Sequence, residues 1–334
     1  MTFMKIYGVH SSISENCGIS IFNMHVKKAI INQNIQFETL NISECYGLLP
    51  DDSTVILHYV PSAFSDTRRS NFLISLLKIK YFKKLIVIFH GAYKINENRY
   101  NGDTFCPYQK EHLRLIFEKA DFLISLSESL RVNLNSWLEL FSIRKKIITL
   151  DHPGLFVKKP SIKIDIPYIF LGGISRMKKN GENLSTEKLI SECKEKKIPI
   201  WMHWTNLNSN SILKNNVWKQ TNGLLSDQLW CNIISNSKVV ICPYETQIQT
   251  VSGIIAEALS ANRYVLTTAF DFALEMQLKY PSLVIVNNQI TQWPNLLENL
   301  LNKVQHFPFD YYNWSDFGSD LVKILSHSPE YILT

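Results

Sequence analysis

The sequence contains few of the patterns that mark a metal centre, a disulfide framework or a membrane span. Its six cysteines form no C-x-x-C pair and no zinc-like spacing, which favours reduced thiols. Apolar runs such as LIVIF (85–89) are far too short to cross a bilayer. The opening MTFMKIYGVHSS is a strand pattern and not a signal peptide. We therefore expect a cytoplasmic protein, either soluble or peripheral on the inner face of the plasma membrane.

Acidic residues are missing between Asp66 and Glu97, and six of the cations in this interval lie within or close to NFLISLLKIKYF. These cations are Arg68, Arg69, Lys78, Lys80, Lys83 and Lys84. The pattern is that of a basic amphipathic helix, with Leu73, Leu76 and Leu77 on one face. Three interpretations stay open: a solvated helix over the core, a contact with an anionic membrane, and a nucleic-acid patch, of which the last is the weakest.

Short apolar runs alternate with helical patterns along the whole chain, which is long enough for two domains at 334 residues. Strand patterns include MKIYGV, STVILHYV, KLIVIFHGAY and ADFLISLS, and the pattern restarts at PYIFLGG. This alternation predicts parallel sheets covered by helices. We expect two α/β units in tandem, joined near residues 156–167.

The stretch from Tyr244 to Thr268 predicts a loop, a helix that begins at Ser252 and Gly253, and a strand. Such loops lie at the carboxyl edge of a parallel sheet, where α/β proteins bind ligands. Free N–H groups at a helix start suit a phosphate, and Gly253 allows a close approach. Glu257 lies among apolar residues at helical spacing, so this acid needs a partner, which is either a protein group or a ligand.

This stretch resembles the nucleotide-sugar site of GT-B fold glycosyltransferases, and most of all the retaining family 4 type. Those enzymes carry P-S-x-x-E-x7-E-A-x-A-x-G-x-P-V, and this chain has CPYETQIQTVSGIIAEALSANRYVL. Glu257 falls on the second glutamate, which binds the donor ribose in the family. The first glutamate falls on Gln249, so a charge is lost there, and the family's later Gly and Pro are Asn262 and Tyr264. A salt bridge inside a helix pair is the alternative for Glu257.

The segment YIFLGGISRMKKNGENL resembles the family's segment that supplies an Arg and a Lys to the donor diphosphate. The Lys position falls on Lys178, whereas the Arg position falls on Gly173, and Arg176 is the candidate replacement. Two cations after a glycine turn suit a diphosphate leaving group. The alternative is a solvated basic loop.

Further likenesses lie in the first half of the chain and near its end. Gly18 corresponds to the glycine turn that faces the donor, and His90 to a histidine close to the donor sugar. His58 and His152 also end strand patterns, and an architectural or acceptor-side role is expected for both. Trp314 corresponds to a packing residue in a last helix that crosses back to the first domain.

The resemblance implies two Rossmann-like domains that face a cleft. The implied domains are an acceptor-binding domain at 1–157, a donor-binding domain at 158–305 and a returning helix at 306–334. Catalytic candidates are His90, Arg176 and Lys178. Donor-binding candidates are Gly18, Gly173, Gln249, Thr250, Ser252, Gly253 and Glu257.

The implied activity is transfer of a hexose-type sugar from a nucleotide-diphosphate sugar to a glycan or lipid-linked acceptor of a bacterial surface polysaccharide. We expect retention of configuration, no metal and no cofactor, because protein cations replace the metal and no D-x-D motif stands out. Nucleic acid is not expected as a partner, and an anionic membrane surface stays open as one. Two alternatives stay open: a non-catalytic GT-B partner subunit, and an inverting transferase or nucleotide-sugar epimerase.

Overall fold

The chain forms two compact units in a computed structural model. The structure describes residues 5–11, 18–33, 35–95, 108–155, 168–171, 184–204, 218–222, 225–244, 251–303 and 310–327. The first unit comprises Met1–Asp151 and Trp314–Thr334, and the second comprises His152–Asn313.

These divisions differ from the expected boundaries after residues 157 and 305. Hydrogen bonds explain the difference, because residues 152–155 and 311–312 are already tied to the second unit. The Gly154 amide donates to the Tyr312 carbonyl at 2.9 Å, and the Leu155 amide donates to the Ser260 hydroxyl at 2.8 Å.

The first unit is built on a six-stranded parallel sheet in the order β2-β1-β3-β4-β5-β6. Its two central strands, β3 and β4, carry nearly continuous apolar runs because helices cover both faces of a parallel sheet. The strands are β1 (Lys5–His10), β2 (Gln36–Asn41), β3 (Ser53–Tyr59), β4 (Phe82–Phe89), β5 (Phe122–Ser125) and β6 (Ile147–Thr149).

Helices begin where side chains can cap them. Asp66 accepts from the Arg69 amide at 2.9 Å, and Ser127 accepts from the Leu130 amide at 3.1 Å, so two helices of the first unit start with N-caps. The helices of this unit are α1 (Gly18–Ile31), α2 (Cys45–Leu48), α3 (Thr67–Ile79), α4 (Gln109–Lys119) and α5 (Glu128–Leu140), with a 3-10 turn at Pro61–Phe64.

Helix α3 corrects the idea of a leucine face turned to a membrane. Leu73, Leu76 and Leu77 are at most 1% exposed, because they pack into the core of the first unit. Lys78 pairs with Glu111 at 3.3 Å, which leaves this part of the basic stretch as the polar side of a core helix. Among the described residues no helix is long and apolar enough to cross a membrane.

The second unit contains a second six-stranded parallel sheet, in the order β12-β11-β10-β7-β8-β9. Its strands are β7 (Tyr168–Leu171), β8 (Ile200–Trp204), β9 (Trp218–Asn222), β10 (Ser237–Cys242), β11 (Tyr264–Thr267) and β12 (Val284–Val286). Its helices are α6 (Leu184–Glu195), α7 (Asp227–Asn236), α8 (Gly253–Ser260), α9 (Asp271–Lys279) and α10 (Trp293–Asn302), with a 3-10 turn at Ile290–Gln292. Parallel pairing puts the ends of β7 and β10 at one edge, with Leu171 beside Ile241.

The last helix, α11 (Trp314–Ser326), returns to the first unit and packs on α1, as predicted. Trp314 is 4% exposed and its ring lies 4.8 Å from that of Phe22. Gly318 permits the close approach, since a Cβ there would lie 2.8 Å from the Cβ of Ala29. Trp314 is therefore a packing residue of the first unit.

Candidate functional site

Helix α8 begins at the carboxyl edge of the second sheet, at the serine and glycine that the sequence predicted. The Ser252 hydroxyl accepts from the Ile255 amide at 3.4 Å and pairs with the Tyr244 hydroxyl at 3.1 Å. Tyr244 follows β10, so this pairing ties the helix start to the strand end. The positive end of the helix dipole is fixed at this edge.

Gly253 lies against the ring of His152. A Cβ built on Gly253 would be 3.2 Å from Cε1 of His152, so a larger residue at this position would have to displace the His152 ring. Nδ1 of His152 lies 2.9 Å from the Pro153 carbonyl, which requires Nδ1 to carry the hydrogen and donate. His152, which sequence reasoning gave an architectural or acceptor-side role, therefore packs on the first residue of α8.

Glu257 finds a protein partner on the neighbouring helix. The Trp230 indole of α7 donates from Nε1 to Oε2 of Glu257 at 2.8 Å. The partner is thus a neutral donor, and among the described residues no cation pairs with this carboxylate. The salt-bridge alternative receives no support, and Trp230 is a site residue that sequence reasoning missed.

Burial raises the pKa of Glu257 from 4.5 to about 7. The Trp230 hydrogen bond opposes this rise because it favours the carboxylate, and the charge of nearby Asp227 adds to it. An acid of this kind is costly to ionise and is a candidate for ligand binding.

Five predicted site residues lie outside the described residues: Gly173, Arg176, Lys178, Gln249 and Thr250. The strands that precede these segments, β7 and β10, are parallel neighbours. The roles of these five residues stay predictions. Glu257, Ser252 and Gly253 are brought together on one helix of the second unit, as expected from their spacing.

In the first unit, His90 follows β4 and is joined to His58 of β3. Nδ1 of His58 lies 3.0 Å from Nε2 of His90, and the His90 amide donates to the Tyr59 carbonyl at 2.8 Å. Phe22 of α1 packs its ring at 4.6 Å from that of His90. Sequence reasoning assigned His58 and His90 separately, and the pairing depends on the register of β3 and β4.

His58 lies in surroundings that disfavour a positive charge on its ring. Burial lowers the pKa of His58 well below its ordinary value, and His90 and His10 lower it further. Burial also lowers the pKa of His10, at the end of β1.

Gly18 begins α1, one turn before Phe22, and a Cβ there would meet nothing within 4 Å.

A metal ion is held by several ligating side chains that lie close together. In the described part of the chain, no group of three or more His, Cys, Asp or Glu side chains is placed to hold a metal ion.

Comparison with known proteins gives the fold. No family model and no curated protein sequence matches the chain. A solved structure of trehalose-6-phosphate from E. coli with UDP-2-fluoro glucose is 12% identical, with a TM-score of 0.57 over 98% of both chains. A putative UDP-N-acetylglucosamine 2-epimerase from Listeria monocytogenes is 12% identical, with a TM-score of 0.62 over 96% of this chain and 95% of its own.

An alpha-glucosyltransferase in complex with UDP is 11% identical, with a TM-score of 0.60 over 98% of this chain and 100% of its own. At these identities the likeness shows the fold. The chain has the GT-B fold, as the sequence predicted, in a divergent form.

Proposed function

We propose that the chain is a glycosyltransferase that moves a hexose-type sugar from a nucleotide-diphosphate sugar to a glycan or lipid-linked acceptor. The observation that carries the proposal is the placement of Glu257. Its carboxylate lies on α8, one turn after the helix start at the sheet edge, with Oε2 bonded to Trp230. Ribose hydroxyls can donate to a carboxylate, and a bound nucleotide would offset the cost of burying it.

The donor diphosphate is proposed to lie at the start of α8. The helix dipole and the amides of Ser252 and Gly253 suit its negative charge. Arg176 and Lys178 add cations that stabilise the charge growing on the leaving group. Gly173, Gln249 and Thr250 complete the donor contacts.

The transfer is proposed to be retaining and independent of metal. Protein cations do the work of a metal ion, and the leaving diphosphate receives the acceptor proton. His90 acts on the sugar, with Gly18 in the neighbouring loop-to-helix segment. These assignments follow the family resemblance residue by residue.

A nucleotide-sugar epimerase is the second candidate, because one of the similar folds carries that description. An epimerase converts a nucleotide sugar without any acceptor, so product analysis separates it from a transferase. A non-catalytic GT-B partner is the third, motivated by Gln249 at the position of a family glutamate.

The test is a thermal-shift panel of UDP-glucose, UDP-N-acetylglucosamine, GDP-mannose and ADP-glucose, followed by assays for nucleoside diphosphate release and sugar epimerisation. A nucleotide sugar at about 100 times its Kd stabilises a protein by about 2.7 kcal/mol. Stabilisation with release of the diphosphate supports a transferase, and binding without turnover supports the non-catalytic reading. Absence of any shift across the panel refutes the nucleotide-sugar site.

The acceptor is proposed to be lipid-linked, with the protein in the cytoplasm and peripheral on an anionic leaflet. The surface that supports this is the exposed side of α3 and its neighbours. Ile79 is 70% and Tyr81 81% exposed, and Arg68 lies over the ring of Phe72. Exposed apolar groups beside a cation suit a membrane interface.

Liposome flotation tests the membrane proposal. Binding should require anionic lipid, weaken with salt, and fall in Ile79→Ser and Tyr81→Ser. Lys78→Ser is the matched control, because Lys78 is paired with Glu111. Wild-type protein that ignores anionic vesicles at low salt would point to a soluble acceptor.

A further inference from the structure

A pair of histidines at the ends of two neighbouring strands shares a single hydrogen. His58 is the penultimate residue of β3, and His90 follows β4. Nδ1 of one ring and Nε2 of the other are 3.0 Å apart, so one nitrogen donates and the other accepts. The direction of this bond decides where the hydrogen of each neutral ring lies.

Burial of His58 decides the direction. The residue is 0% exposed, and its Nε2 has no hydrogen-bond partner among the described residues. If His58 accepted at Nδ1, its Nε2 would carry a buried N–H donor without an acceptor. If His58 donates from Nδ1, Nε2 keeps only a lone pair. Orphaned buried N–H groups are the rarer of the two, so the second arrangement is favoured.

Burial lowers the pKa of His58 and so keeps its ring neutral, and neighbouring rings hold the pair in place. His10 is the neighbouring titratable group from β1, and Phe22 from α1 meets the His90 ring edge to face at 90°. With the hydrogen of neutral His58 on Nδ1, Nε2 of His90 has to accept it. The pair therefore works with one shared hydrogen.

We infer that His58 is a positioning residue that fixes His90 as the tautomer with hydrogen on Nδ1. The consequence of this inference for catalysis rests on the proposed function. In that function, His90 acts on the sugar as a hydrogen-bond donor. Nε2 of His90 is occupied by His58 and Nδ1 already carries a hydrogen. His90 in this form cannot take a proton from an acceptor hydroxyl, which argues against its use as the base of an inverting enzyme.

Two substitutions of similar polarity separate positioning from packing. An Asn amide nitrogen occupies the place of histidine Nδ1, whereas a Gln amide nitrogen occupies that of Nε2. His58→Asn keeps the donor toward His90, and His58→Gln removes it. His112→Gln is the control, because His112 is another buried histidine of the first unit, bonded to Ser70 at 2.8 Å.

The primary readout is the tautomer of His90, measured by long-range ¹H–¹⁵N spectra of the full-length protein with ¹⁵N-labelled histidine and assigned with His90→Gln. Hydrogen on Nδ1 is expected in the wild type, in His58→Asn and in the control, and hydrogen on Nε2 should gain population in His58→Gln. Hydrogen on Nε2 in the wild type, or an unchanged tautomer in His58→Gln, overturns the inference.

The second readout is turnover of the nucleotide sugar that gives the largest thermal shift. His58→Gln should lower kcat by about tenfold or more with little change in KM, since a wrong tautomer misplaces a donor. His58→Asn should restore it. If the tautomers behave as expected and no nucleotide sugar is bound or turned over, the proposed function fails while the positioning stands. Equal loss of kcat in both variants, with normal folding, overturns the role of the tautomer.

Discussion

Replacing Glu257 by Gln should stabilise the protein above pH 7 while weakening its affinity for a nucleotide sugar. The pKa of Glu257 is raised from 4.5 to about 7 by burial, so the folded chain resists ionising this group. A difference of one pKa unit corresponds to about 1.4 kcal/mol. Ionising Glu257 in the folded chain therefore costs about 3 kcal/mol at high pH. Gln has a similar shape, keeps an oxygen for the Trp230 donor and carries no charge.

The raised pKa of Glu257 makes the stability of the folded chain depend on pH. Because the folded pKa lies above the unfolded one, the folded state binds more protons between pH 4.5 and about 7. The wild type therefore loses stability as pH rises through this window, and Glu257→Gln does not. The variant should gain up to about 3 kcal/mol at pH 8 and show little gain at pH 4.5, relative to the wild type.

Urea unfolding at the two pH values measures this difference. Glu298→Gln is the matched control, because Glu298 lies on the surface of the same unit and pairs with Lys196 at 2.8 Å. Exposed pairs contribute about 0–1 kcal/mol, so the control should show no comparable gain at pH 8. A Glu257→Gln variant that is destabilised at both pH values would refute the reasoning.

The affinity of Glu257→Gln for a nucleotide sugar should fall, although its stability rises. Loss of a charged acceptor is expected to cost about 1.5–3 kcal/mol of affinity. Wild-type affinity should rise with pH through about 7, where the carboxylate forms, and this rise should vanish in Glu257→Gln. UDP-glucose is the better probe than UDP, since a terminal phosphate itself titrates near pH ~6. Unchanged affinity in the folded variant would refute the ribose assignment.

The remaining predictions concern three other positions. Trp230→Phe should raise the pKa of Glu257 further, because the indole favours the carboxylate, and a larger loss of stability between pH 5 and pH 8 than in the wild type, measured by urea unfolding, would show it. Lys178→Ala should lower turnover by about 10²-fold in the diphosphate-release assay; near-normal turnover would make Lys178 a surface lysine. Gly318→Ala should cost about 1–3 kcal/mol, because its Cβ would lie 2.8 Å from that of Ala29, and should lower Tm without altering nucleotide affinity.

The fold was largely predictable because its signals are local. Apolar runs such as LIVIF became β4, and the restart at residue 168 became β7 of a second parallel sheet. The start of α8 at Ser252 followed from capping chemistry. Each of these needs only neighbouring residues in the sequence.

The partners of the site residues could not be predicted in the same way. Trp230 reaches Glu257 from another helix, and His58 reaches His90 through the register of two strands. Such contacts depend on how elements pack, which no spacing within one segment encodes. The environment of helix α3 could not be predicted either. An apolar face such as that of Leu73 has the same periodicity whether it packs against a core or against lipid.

The return of α11 to the first unit has a consequence for synthesis on the ribosome. The first unit is interrupted after Asp151 and resumes at Trp314. At about 5–20 residues per second, the intervening chain takes roughly 8–30 s to emerge. During that interval the face of α1 around Phe22 and Ala29 lacks its covering helix. The unit that is translated first is thus the one completed last, and the nascent chain exposes an apolar surface on which a chaperone can act until Trp314 arrives.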